Sequence, residues 1–279
     1  MKKDNSQKTE KNALAPEKSI TETAGNAYGG ANGAAIILEE LSKVYRLSRH
    51  RSIIALDSLS LEIREGEIFG LLGPNGSGKT TALKLILGLL FPTRGRVTVF
   101  GRDVSLMEVK ASIGYLPEHP YYYRYLSGRE LIEFYGGIFG LPKEMLDERC
   151  AELLKLVGLE KAGELPLKNY SKGMLERVGL ASALVNDPTF LILDEPTTGL
   201  DPIGSRDTRD LLLRLRGEGK TILLSSHYLS EVERVSDRVG ILHQGKLMDV
   251  GNIRELMTKW QAEDIENLFI KVIECSNQS

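Results

Sequence analysis

Eight residues constrain the fold of this chain more than any others: Gly73-Pro74-Asn75-Gly76-Ser77-Gly78-Lys79-Thr80. They match G-x-x-x-x-G-K-[ST], a phosphate-binding loop. Glu67 to Leu72 before them reads as a buried strand, and Thr81 to Leu90 after them as an apolar helix. A strand feeding a glycine loop and then a helix aims several backbone N–H groups and a helix N-terminus at one point. A polyphosphate suits that geometry. Gly76 and Gly78 let the backbone approach phosphate with no Cβ in the way. Lys79 is expected to reach the β- and γ-phosphates, and the Thr80 hydroxyl to hold Mg²⁺. The loop alone does not separate kinase, GTPase, motor or transporter.

The rest of the composition narrows this. The 36 Lys and Arg nearly balance the 38 Asp and Glu, so no basic excess points to nucleic acid as a partner. The two cysteines, Cys150 and Cys275, have no metal-ligand spacing and form no disulfide framework, which suggests a reducing compartment. No apolar run approaches the ~18 residues of a membrane span, and the lysine-bearing N-terminus lacks the apolar core of a secretory signal. Any link to a membrane is therefore expected to run through another chain.

Residues 1–34 are polar, then rich in Gly and Ala, and read as a disordered tail. Ile36 to Leu38 and Leu59 to Ile63 look like strands of an antiparallel sheet laid over the loop. Tyr45 between them can stack on a purine ring; as an isolated Tyr it reads equally as a half-buried strand residue. Arg96 to Phe100 and Ser112 to Leu116 are further strands, and Pro117-Glu118-His119-Pro120 leaves the second. Ser127 and Glu130 form a capping box that opens a helix with Leu131, Phe134, Tyr135 and Ile138 on one face. A second helix opens at Pro142 and closes at Gly158, with Cys150 in its apolar stripe as a packed core thiol. Phe190 to Leu193 and Thr221 to Leu224 are strands ending at Asp194-Glu195 and Ser225-Ser226-His227. Val239 to Leu242 and Lys246 to Met248 form a closing hairpin. Ile253 to Ile273 reads as one or two short helices, with a strand as the alternative, and Trp260 there as packing. Parallel strands place residues past their C-terminal ends near the phosphate loop.

Several short motifs now stand in order: Tyr45, the loop Gly73 to Thr81, Glu118, Tyr170-Ser171-Lys172-Gly173-Met174 with Arg177, Leu191 to Glu195, Gly199-Leu200-Asp201 and His227. Over about residues 35–250 this set resembles the nucleotide-binding subunit of an ATP-binding cassette (ABC) transporter. The resemblance implies an α/β fold: a P-loop NTPase (RecA-like) core with a parallel sheet, an N-terminal antiparallel β subdomain, an inserted α-helical subdomain at about 119–180, and a short C-terminal extension at 251–279. It implies ATP and Mg²⁺ as cofactors. ATP contacts fall to Tyr45, to Gly73, Pro74, Asn75, Gly76, Ser77, Gly78, Lys79, Thr80 and Thr81, and to Ser171, Lys172, Gly173 and Met174. Thr80, Glu118 and Asp194 are the implied metal contacts, and Glu195, His227 and Lys79 the catalytic groups. Asp194 ends an apolar strand, where a carboxylate is costly unless it holds a cation. Glu195 would polarise the attacking water, and His227 would hydrogen-bond the γ-phosphate and that water. Ser171 would cap its helix and make the helix N-terminus an anion site. In ABC proteins that site faces nucleotide on a second subunit, so a dimer is implied, with a copy of this chain or a close relative.

Three residues depart from the commoner family pattern: Lys172 stands where many members have Gly, Met174 replaces Gln, and Glu118 replaces Gln. The Glu and the Ser-Lys-Gly-Met signature are similar to the subfamily that works with ABC-2 type membrane proteins, often exporters. The implied setting is the cytoplasmic face of the inner (cell) membrane, through an integral membrane permease, with no nucleic-acid partner. The alternatives are a soluble ABC ATPase acting on a macromolecule, or a regulator that binds nucleotide without turnover. A single cassette and the short Lys79–Ser171 interval argue against the first, and Glu195 with His227 against the second. Tyr121-Tyr122-Tyr123-Arg124-Tyr125 follows Glu118, and Tyr122 and Tyr123 are expected to be mainly contacts to the permease.

Overall fold

The computed structural model describes residues 33–48 and 50–277, with only the backbone of Asn277. The tail read over 1–34 lies outside these residues except for its last two positions. In chain order, β1 (Ala34–Ser48), β2 (Arg51–Arg64) and β3 (Ile68–Leu72) lead through the glycine loop to α1 (Lys79–Ile86). Next come β4 (Arg94–Val99), β5 (Arg102–Asp103), α2 (Met107–Ala111) and β6 (Ile113–Leu116). Three helices follow: α3 (Gly128–Ile138), α4 (Lys143–Leu156) and α5 (Lys172–Ala183). The chain then alternates through β7 (Phe190–Asp194), α6 (Pro202–Gly217), β8 (Thr221–Ser226), α7 (Leu229–Val235), β9 (Arg238–His243) and β10 (Lys246–Gly251). Two helices, α8 (Ile253–Trp260) and α9 (Ile265–Asn277), end the described chain.

Strand periodicity explains the layers. All of β3 is buried, with Ile68 and Leu72 in one apolar cluster and Phe69 and Leu71 in the other, because successive side chains point to opposite faces. The six-stranded sheet runs β10-β9-β3-β8-β7-β6, parallel except for β10. Both faces are covered, as a parallel sheet demands. On one face sit α1 and the antiparallel sheet β2-β1-β4-β5; on the other sit the later helices. Each buried Leu or Ile contributes about 1.5–3 kcal/mol.

Register aligns the strand ends that carry the chemistry. Leu72 pairs with Ser226, Asp194 with Ser225, and Leu116 with Leu193. The residues just past these positions therefore share one rim of the sheet.

The helical stretch between β6 and β7 differs from its sequence reading on one face. The capping box forms: the Glu130 N–H donates to Ser127 Oγ at 3.2 Å, and the Ser127 N–H to Glu130 Oε2 at 2.7 Å. The buried face of α3 is Leu131, Ile132 and Gly136, while Phe134 and Ile138 are 49% and 65% exposed. Gly136 sets this rotation, since a Cβ there would strike Leu146 of α4. On α4, Leu146, Cys150, Leu153 and Leu154 are buried, and desolvation pushes the Cys150 thiol up to about 11. Tyr170, 6% exposed, donates its hydroxyl to the Ala162 carbonyl at 2.7 Å. Tyr170→Phe leaves that carbonyl without its partner and is expected to cost about 1–3 kcal/mol. A drop in the thermal midpoint measures it, and an unchanged midpoint rejects it.

The C-terminal segment is two helices without a strand among the described residues. Ile265, Leu268 and Val272 of α9 are buried, and α9 packs on α7, β9 and β10. Trp260 does pack, and its indole N–H also donates to Asp249 Oδ2 at 2.6 Å. Between β9 and β10, Gln244 and Gly245 both have positive φ, 45° and 80°, the two-residue turn that suits strand twist. This turn reaches the phosphate loop. The Gly245 N–H donates to the Ser77 carbonyl at 2.8 Å, and the Asp57 N–H to the Gly245 carbonyl at 2.9 Å.

Candidate nucleotide site

Past β3, the loop from Gly73 to Gly78 turns back over the sheet rim. Gly78 takes φ 110°, and a Cβ there would lie 2.6 Å from the Ala55 carbonyl oxygen, so only glycine fits. Gly73 is equally closed in, by the Leu242 carbonyl and Ser77 Oγ. Lys79 opens α1 and is 7% exposed; its ammonium donates to the Gly73 carbonyl at 2.6 Å and the Pro74 carbonyl at 3.4 Å. Desolvation lowers its pKa, against the nearby charges of Glu195, Asp194 and Glu118. Ser77 Oγ is buried without a hydrogen-bond partner among the described residues.

A cavity of about 220 Å³ opens here, lined by Pro74 to Thr81 together with Ala55 and with Glu118, Asp194 and Glu195. Asp194, 4% exposed, accepts a hydrogen bond from the Ser225 hydroxyl. Burial raises its pKa, helped by the charges of Glu118 and Glu195 and opposed by Ser225 and Lys79. Glu195 is 6% exposed and takes φ 56°, a left-handed backbone unusual for a side-chain-bearing residue. Glu195 Oε2 lies 2.8 Å from His227 Nδ1 and accepts from Thr198 Oγ1 and the His227 N–H, both at 3.3 Å. The half-exposed His227 ring leans on Tyr228, with centroids 4.1 Å apart.

One buried lysine, three carboxylates, a helix N-terminus and an unpartnered hydroxyl thus face one space. Among the described residues no three His, Cys, Asp or Glu side chains converge closely enough to hold a metal alone. That fits a Mg²⁺ held by one or two carboxylates together with phosphate oxygens. The raised pKa of Asp194 shows a local excess of buried negative charge that a cation would relieve.

Two expected contacts stand elsewhere. Tyr45 sits opposite Ile53 across β1–β2, beneath the Lys43 ammonium, and it is Ile53 and Ile54 that line the cavity. Ser171, Lys172, Gly173 and Met174 form the start of α5, away from the cavity lining, with Ser171 Oγ accepting from the Met174 N–H at 3.3 Å. The tyrosine run divides as well. Tyr121 and Tyr123 are 102% and 59% exposed. Tyr122 is half-buried against the core, with its hydroxyl over Gly179, and desolvation raises its pKa. Its neighbour on α5 is a glycine, which leaves room for a ring that a longer side chain would expel. Sequence reasoning passed over Thr198, the Gly245 brace and Ile53–Ile54. Thr198 was legible only as part of a Pro-Thr-Thr-Gly turn, and the other two depend on contacts distant in sequence.

Residues 56–198 match the family described as ABC transporter. An ABC transporter ATP-binding protein of Nostoc sp. (strain PCC 7120) is 44% identical over 245 residues, 86% of this chain and 73% of that protein. The Nod factor export ATP-binding protein I of Sinorhizobium fredii is 36% identical over 267 residues, 95% of this chain and 76% of that protein. A dimeric post-hydrolysis structure of the ATP-binding cassette MJ0796 with ADP and Pi superposes with a TM-score of 0.72 at 28% identity, over 78% of this chain and 99% of that one. With the loop, the carboxylates and the sheet order in place, the chain belongs to the ABC transporter family, as an ATP-binding and ATP-hydrolysing subunit.

Proposed function

We propose that this chain uses ATP with Mg²⁺ to drive an exporter whose membrane-spanning part is a separate permease. The observation that carries this is the buried Glu195 carboxylate, held by Thr198 and His227 at the rim shared with Lys79. In this reading Lys79 and the loop N–H groups hold the phosphates, and Thr80, Asp194 and Glu118 bear on the metal. Glu195 takes a proton from water, and His227 keeps the carboxylate and water oriented. Mg²⁺ would neutralise phosphate charge. The α5 start, remote from the cavity, completes the site of a second copy. Support for a dimer comes from the two-chain arrangement of the MJ0796 cassette, and support for export from the relative named for it. No helix among the described residues is long and apolar enough to cross a membrane. The proposed place is therefore the cytoplasmic face of the cell membrane, through the permease.

The test is phosphate release by purified protein. It is expected to need Mg²⁺ and to rise faster than linearly with protein concentration, and strict proportionality would reject the dimer. The proposed docking face is Tyr121 and Tyr123 with Phe134 and Ile138, exposed around a cavity of about 280 Å³ between α3, α5 and the segment after β6. Tyr121→Ala with Tyr123→Ala is expected to leave basal hydrolysis and the thermal midpoint unchanged. Co-purification with the membrane protein encoded beside the gene is expected to fall at least about tenfold, as loss of two aromatic anchors implies. Undiminished co-purification would move the docking face elsewhere.

A further inference from the structure

Glu176 lies in the middle of α5 and is 7% exposed. It makes no hydrogen bond or salt bridge among the described residues, yet a buried polar group is almost always paired. Its carboxyl lines a second cavity, of about 230 Å³, walled by the end of α4, by α5, by α6 and by Pro196 next to Glu195. That volume admits several waters, so protons reach the carboxyl although protein surrounds it. The charged and titratable groups around it are Lys172 and Arg177 on α5, Lys155 on α4, Asp207 on α6 and Tyr122 after β6. Arg177 is engaged elsewhere, donating to the Gly173 and Val157 carbonyls at 3.3 Å each. Lys172, one turn back on the same helix, is the cation that favours ionisation of Glu176.

Lys172 has a second place to be. Its ammonium fills the space beside Gly199 where a side chain would begin, and Gly173 stands next to Leu200. The first turn of α5 therefore leans on the loop from Glu195 to Asp201. Within that loop the Thr198 N–H donates to the Glu195 carbonyl at 3.1 Å, and Thr198 Oγ1 to the Glu195 carboxylate at 3.3 Å.

We propose that Glu176 is a positioning residue for ATP hydrolysis, moving Lys172 between two attachments according to whether the Glu176 carboxyl carries a proton. When neutral, Glu176 sits in its cavity without a partner and leaves Lys172 on the Gly199 loop, which steadies Thr198 and through it Glu195. When ionised, it draws Lys172 back along α5, since residues four apart on a helix are neighbours. The loop is then released. Burial places the change in the neutral range, by raising the Glu176 pKa to about 7.

The experiment is the pH profile of turnover and KM from acid to alkaline of neutrality, for the full chain and for Glu176→Gln and Glu176→Asp. The wild type is expected to lose turnover at least about twofold as Glu176 ionises. Glu176→Gln is expected to hold the acid-side rate through that interval, and Glu176→Asp to restore a pH-dependent step. Superimposable wild-type and Gln profiles overturn the proposal, because His227 and the other groups are unchanged between them. If the Gln variant does not fold, ¹³C-carboxyl NMR of glutamate-labelled wild type decides. A glutamate titrating near neutrality, lost in Glu176→Asp, supports the proposal; no glutamate titrating above the ordinary carboxylate range overturns it.

Discussion

Glu195→Gln is expected to lower steady-state ATP hydrolysis by about 10²–10⁴-fold while nucleotide binding persists. The amide keeps the shape of the carboxylate and can still accept from Thr198 and the His227 N–H, at 3.3 Å in the native chain. It cannot take a proton from water. The phosphate loop is not altered, because Lys79 is anchored on the Gly73 and Pro74 carbonyls rather than on Glu195. Phosphate release at saturating Mg-ATP measures the loss, and fluorescent-nucleotide binding measures what remains. Size-exclusion elution with ATP is expected to show a longer-lived dimer. Turnover within a few-fold of wild type would remove Glu195 from the chemistry and leave its left-handed backbone unexplained by function.

The second large effect has two signs. Asp194→Asn is expected to abolish Mg²⁺-dependent turnover, by at least about 10²-fold, and to stabilise the ligand-free protein. Burial, with Glu118 and Glu195 nearby, raises the Asp194 pKa although Ser225 donates to it. A carboxyl with a raised folded-state pKa binds its proton more tightly when folded. Stability is therefore lost as pH rises from the ordinary aspartate value through the raised one. Asn keeps an acceptor for Ser225 and carries no charge, so this loss disappears. A gain of about 1 kcal/mol corresponds to a rise of about 2–4 °C in the thermal midpoint. A lower midpoint with activity retained would make Asp194 a structural partner of Ser225 and nothing more.

Local signals in the sequence were reliable where the physics is local. Ser127 and Glu130 cap each other within four residues, and the β7 and β8 strands end where their apolar runs stop. The rim of the sheet followed from parallel strands, whose ends must meet if their registers match. Legibility ended where a neighbour distant in sequence decides. Which face of α3 is buried depends on Gly136 meeting Leu146, and the apolar spacing of Phe134 and Ile138 carries no trace of it. Tyr122 and Tyr123 are adjacent and chemically identical, yet Gly179 makes room for one ring only. Glu176 read as one more charged helix residue, because nothing within a helical turn reports that α4 and α6 close over it.

The brace between Gly245 and Ser77 has a consequence for synthesis on the ribosome. The phosphate loop is among the early parts of the chain to emerge, but its strand lies between β8 and β9, and its Ser77 carbonyl is met by a turn at residue 245. At ~5–20 residues per second, that partner arrives on the order of ten seconds or more after the loop does. Until then the loop's strand has neither neighbour of its sheet, and nascent chains cannot present the finished cradle to the cell's abundant nucleotide. A ribosome-stalled chain ending before β9 should therefore not be retained on immobilised ATP, whereas one extended beyond β10 should be. Capture of ATP by this subunit is in that sense a late event of translation, although its binding motif is written in the first third of the message.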